Sequence, residues 1–167
     1  FATLTYGSGT DLHRPEFSTE VDLMTDSISV GQFMGLAEGI ERDSREWFWG
    51  FGPSAFPRNG RVWYPIGEGP FPLVLMMHGN HNMTDFSDAG YTYLGEHLAW
   101  HGYIFVSVDA NFFNGYVTGA VGGENDARAW MLLKHLELWQ DWNETTGNPF
   151  AGQVDMEQIA LMGHSRG

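Results

Sequence analysis

Two short clusters hold residues whose types and spacing could do chemistry. The first is Gly163-His164-Ser165-Arg166-Gly167, which follows the apolar run Ile159-Ala160-Leu161-Met162. Gly-x-Ser-x-Gly after a strand is the pattern of a sharp strand-to-helix turn that exposes a serine hydroxyl. The backbone N–H after that serine is then free to hold an oxyanion. A serine hydroxyl is a poor nucleophile until a base takes its proton, so a partner histidine is required. The second cluster is His78-Gly79-Asn80-His81, directly after Pro72-Leu73-Val74-Leu75-Met76-Met77. A glycine at that turn lets the amide of Asn80 point toward the serine as a second oxyanion donor. With 22 glycines in the chain, neither string is decisive alone. The elements around them must supply the argument.

Those elements follow a regular order from residue 60 onward. Arg61–Tyr64 reads as a strand stopped by Pro65, and Pro72–Met77 as a strand buried on both faces. Tyr91–His101 places Tyr91, Leu94, Leu98 and Ala99 at helical spacing, with Gly102 positioned to end the helix. Tyr103–Val108 is a further buried strand, and Asp109–Gly123 a loop. A helix runs from Glu124 to about Trp142, with acidic residues in its first turn and Ala129, Leu132, Leu136 and Trp139 on one face. Ile159–Met162 is a final buried strand. Strands alternating with helices predict an α/β fold: a mostly parallel sheet with crossover helices.

The first sixty residues are less regular. Phe1–Tyr6 reads as a strand, Val21–Val30 as a second, and Met34–Arg45 as a short helix weakened by Gly35 and Gly39. The ring-rich stretch 47–59 is read as wrapping the sheet edge, mostly buried. Residues 1–60 are accordingly lead-in strands and an aromatic loop of the same domain, and residues 61–167 are the core.

Composition narrows the partners. A net charge of −13, with Lys134 the single lysine, repels phosphate backbones and argues against nucleic-acid binding. The absence of cysteine excludes disulfides and thiolate metal sites. No apolar run approaches the length of a membrane span. The acidic surface leans toward an extracytoplasmic setting. His97 and His101 are spaced i, i+4, but Glu96 precedes the first histidine where a zinc protease needs a glutamate after it, so no metal is expected. His101, beside the helix end, suits the helix dipole instead. Asp109 is read as a structural loop residue. Asn82-Met83-Thr84 and Asn143-Glu144-Thr145 are sequons that chance explains.

With these marks in order, residues 60–167 resemble the N-terminal half of an α/β-hydrolase. The likeness is to the serine esterase branch with platelet-activating-factor acetylhydrolases, dienelactone hydrolases and cutinase-like polyester hydrolases. It is carried by Val62-Trp63-Tyr64-Pro65, His78-Gly79, Leu98–Tyr103 leading into Phe105–Asp109, Ala127-Arg128-Ala129, and Ile159–Gly167. The resemblance implies a three-layer fold, incomplete here, with antiparallel lead-in strands. It implies Ser165 as nucleophile, the amides of Asn80 and Arg166 as the oxyanion hole, and an Asp and a His of the triad beyond residue 167. His78 and His81 are candidate substrate-binding residues. No cofactor is implied, and the substrate would be a small-molecule or polymeric ester. Amide or peptide hydrolysis, acyl transfer, or a non-catalytic binding module on the same fold remain alternatives. The segment alone is expected to be inactive and poorly soluble, because its last strand leaves a growing sheet edge.

Overall fold

The computed structural model describes residues 1–34, 39–115 and 123–167. Its elements are β1 (Ala2–Gly7), β2 (Leu23–Met24), α1 (Ile40–Trp49), β3 (Gly60–Tyr64), β4 (Phe71–Met77), α2 (Thr92–Trp100), β5 (Ile104–Val108), α3 (Glu124–Glu144) and β6 (Val154–Gly163). The strands form one mixed sheet in the order β2-β1-β3-β5-β4-β6. β3 runs antiparallel to both of its neighbours, β1 and β5, whereas β2 is parallel to β1 and the strands β5, β4 and β6 are mutually parallel. This is an α/β architecture consistent with an incomplete α/β-hydrolase-like fold.

Alternation along β4 builds the layers. Leu73, Leu75 and Met77 pack on one face with Val62, Val106 and Val108, beneath Ala127, Met131 and Trp139 of α3. Val74 and Met76 point to the other face, with Trp63 and Phe105, beneath Ala99, Leu94 and Leu98 of α2. A strand buried on both faces needs apolar residues at every position, which explains its unbroken run. Each such side chain contributes about 1.5–3 kcal/mol of burial.

Four expectations are corrected. First, α3 buries Ala127, Arg128, Met131, His135, Leu138, Trp139 and Trp142, while Ala129 is exposed. Of the expected face, Trp139 is buried and Leu132 and Leu136 pack half-buried against the same core; the buried stripe also takes in two polar residues, Arg128 and His135. Second, the segment Val21–Val30 is a strand only at the two-residue β2, beside which Asp22 turns its carboxylate to the Thr5 N–H (2.7 Å), and further on Ile28 makes an isolated antiparallel bridge to Phe56. Third, the predicted helix Met34–Arg45 partly falls on residues 35–38, outside the described residues. The helix that is described starts at Ile40 and continues through Trp49, where Gly50 takes a left-handed conformation (φ 77°) and ends it. Trp49 and Phe56 are buried as expected, but Trp47 is 80% exposed. Fourth, β6 is exposed from Glu157 onward, because it is the sheet's edge.

The sequon residue Asn143 is engaged on both side-chain atoms. Its Nδ2 donates to Val154 O (3.0 Å) and its Oδ1 accepts from Val154 N–H (2.9 Å), pinning the start of β6 to the end of α3.

Candidate active site

The parallel strands β4 and β6 end side by side, with Met77 paired to Gly163. That register brings the two chemistry-bearing clusters together. After β6 the chain folds back sharply: Gly167 N–H donates to His164 O (2.9 Å), and His164 N–H donates to Met77 O (3.2 Å). At the apex Ser165 has φ 57°, and it is the one non-glycine residue among those described with positive φ. A left-handed serine costs of order 1–3 kcal/mol, and such strain gathers at functional sites.

The flanking glycines are needed for space rather than for unusual φ. A Cβ on Gly163 would overlap the carbonyl oxygen of Gly167, and one on Gly167 would overlap that of Met77. Gly79 plays the same part across the cleft. A Cβ there would lie 2.7 Å from Ser165 Cβ, 2.8 Å from His164 O and 3.4 Å from Ser165 Oγ. The loop after β4 therefore lies directly against the exposed serine. Beside it, an open cavity of about 410 Å³ is bordered by Ser165, Arg166, Arg128, Leu132 and Met77.

His78 is wholly buried. Its Nε2 accepts from the Ala110 N–H (3.0 Å), which leaves Nδ1 protonated to donate to Gly79 O (2.9 Å). Burial pushes its pKa below the ordinary histidine value, against the pull of Asp109 and Asp88. With both nitrogens engaged it has none to offer a substrate, so the expected substrate contact through His78 gives way to a structural one. His81 is exposed on the following loop. Asn80 Oδ1 is buried and has no hydrogen-bond partner among the described residues.

Among the described residues no histidine is hydrogen-bonded to Ser165. His13 contacts Phe48 O, His101 Nδ1 the carbonyl of His97, and His135 the hydroxyl of Tyr6. Nor does any group of three or more His, Asp or Glu side chains among them suit a metal ion.

Three sets of partners around the site were not foreseen from sequence. Arg128, buried in α3, donates to His78 O (3.1 Å) and Asn114 Oδ1 (2.6 Å). Burial lowers its pKa to about 10. One turn earlier, the buried Glu124 accepts from Arg166 (2.5 Å), tying the residue after Ser165 to the start of α3.

The third set lies beneath the loop after β5. Arg14 bonds Asp11 (2.6 Å), Asp88 (3.0 Å) and Asp109 (2.5 Å), all buried. Asn59 and Asn111 complete the coordination of Asp109, and Arg61 that of Asp88. Burial alone would raise the Asp109 carboxyl, but Arg14 against it holds it below the usual carboxylate range. Asp109 is thus held in place by Arg14, Asn59 and Asn111.

No protein-family model matches the chain. Among curated proteins it is similar to the chloroplastic chlorophyllase-1 of Citrus sinensis, 26% identical over 103 residues. The match covers 62% of this chain and 28% of the relative's length. At that level it supports a relationship to esterase-like hydrolases. No helix among the described residues is long and apolar enough to cross a membrane.

Proposed function

We propose that this chain carries the nucleophile and oxyanion hole of a serine-dependent carboxylic ester hydrolase. The observation that carries the reading is Ser165, held at φ 57° on the turn after β6 with Gly79 packed against it. Ser165 Oγ attacks the acyl carbonyl while a base removes its proton. The amides of Asn80 and Arg166 hold the tetrahedral oxyanion; its collapse breaks the ester C–O bond and releases the alcohol, which takes the proton from the base, and water then hydrolyses the acyl-enzyme to the acid and free serine. The base and its orienting acid are expected further along the full-length protein. The reading requires no cofactor.

The likeness to a chlorophyllase puts chlorophyll in the substrate panel beside simple nitrophenyl esters. The test is covalent labelling of the full-length protein with a fluorophosphonate probe. Ser165→Ala should abolish both labelling and ester hydrolysis. Labelling that persists in that variant would refute the assignment. Tight ester binding without turnover in the unmodified protein would favour a binding module instead.

A further inference from the structure

Two peptide planes flank Gly79, and a different side chain clamps each. The carbonyl of the His78–Gly79 peptide accepts from Arg128 Nη1 at 3.1 Å. The carbonyl of the Gly79–Asn80 peptide accepts from His78 Nδ1 at 2.9 Å. In a trans peptide the C=O and the following N–H point in opposite directions. The bond that holds Gly79 O therefore also sets the heading of the Asn80 N–H. The imidazole cannot swing away, because its Nε2 accepts from Ala110 N–H at 3.0 Å. Ala110 is fixed in turn: Asp109 N–H donates to Asn59 O (3.0 Å), and the Asp109 carboxylate is paired with Arg14.

We propose that His78 is the positioning residue of the oxyanion hole. Its neutral, Nδ1-protonated ring holds the Gly79–Asn80 peptide with the amide turned toward the oxygen that becomes negative when Ser165 attacks. The inference rests on the ester-hydrolase reading. His78 touches no substrate; it acts through the amide of Asn80. A preoriented donor is worth more than a mobile one because no reorganisation is needed as charge develops. The charged groups facing the ring are Asp109, Asp88 and Arg128, and burial keeps the ring neutral among them.

The two ring nitrogens can be replaced separately in the full-length protein. His78→Asn places an amide nitrogen near the Nδ1 position and keeps the bond to Gly79 O. His78→Gln places an amide oxygen near Nε2, keeping the Ala110 anchor and losing the clamp. H78N should retain kcat within about tenfold of the unmodified enzyme, while H78Q should lose about 100- to 1000-fold, with KM little changed in either. Equal losses, the reverse order, or losses confined to KM would overturn the inference.

A second readout needs no variant. Ring ¹⁵N NMR of His78 in the unmodified protein should show a protonated Nδ1 and a bare Nε2 at neutral pH. The opposite tautomer, or an imidazolium, would overturn the proposal even if neither variant folds. Failure of the unmodified protein to label with fluorophosphonate would refute the ester-hydrolase reading and this inference with it. Normal labelling with indistinguishable variants would refute only the inference.

Discussion

Replacing Arg14 with methionine should reveal how strongly the first segment of the chain supports the site. Arg14 is 4% exposed and faces three buried carboxylates. Asp88 keeps Arg61 in the variant, and Asp109 keeps its bonds from Asn59 and Asn111. Asp11 and Asp109 lose the cation bonded to them. Stranding a buried charge costs about 3–5 kcal/mol. That is a large part of the roughly 5–15 kcal/mol that keeps a domain folded.

The sign of the pH dependence follows from Asp109. In the unmodified protein its lowered carboxyl contributes stability above the unfolded value of about 3.9, lost as pH falls through the folded value. Without Arg14, burial dominates and raises the same carboxyl above its unfolded value. The variant then gains protons in the folded state on acidification. Its deficit should be largest at pH 7–8 and shrink toward about pH 4, by up to roughly 1.4 kcal/mol per unit. Urea unfolding followed by tryptophan fluorescence, at several pH values, measures this. A deficit under about 1 kcal/mol at pH 7, or one that grows on acidification, would refute the reasoning.

Three further outcomes are expected. Gly79→Ala forces a methyl within 2.8 Å of His164 O, where the obstacle is backbone. It should cost about 1–3 kcal/mol of stability and, by displacing Ser165 up to an ångström, about a hundredfold in kcat. Arg166→Met strands the carboxylate of Glu124, 2% exposed and with no partner for Oε2 among the described residues, whereas Glu124→Gln releases a half-exposed arginine to water. Chemical denaturation should show the first costing about 2–4 kcal/mol and the second about 1. His135 is depressed to about 3 by burial, then by Arg58. Its neutral form favours folding above the unfolded value of about 6.5, and this contribution is lost as pH falls toward 3. His135→Leu should flatten the stability curve over that range, while lowering stability at pH 7 by about 1–3 kcal/mol through the orphaned Tyr6 hydroxyl.

Much of the fold was legible locally. The apolar run of β4, the spacing of α2 and the alternation of β3 each depend on neighbours a few residues away. Sequence windows see those directly. Where reading failed, long-range pairing had overridden local pattern. His135 lies inward because Tyr6, far off in sequence, gives its Nδ1 a partner at 2.5 Å. Arg128 lies inward because His78 O and Asn114 Oδ1 accept its protons. A periodicity argument counts both as solvent-facing.

The clusters at Gly163–Gly167 and His78–His81 are a property of the sequence alone, as is their placement after two strands. The residue types demanded a tight turn and a close approach, and the apolar runs demanded a buried sheet. Only the tertiary structure decided that Met77 and Gly163 stand in register. That register is what sets Gly79 against Ser165, because parallel pairing is made between strands some eighty residues apart. It also decided the part of His78. A histidine beside a glycine could line a pocket or hold a backbone. Folding buried it between Ala110 N–H and Gly79 O, and two hydrogen bonds to backbone leave an imidazole nothing else to do.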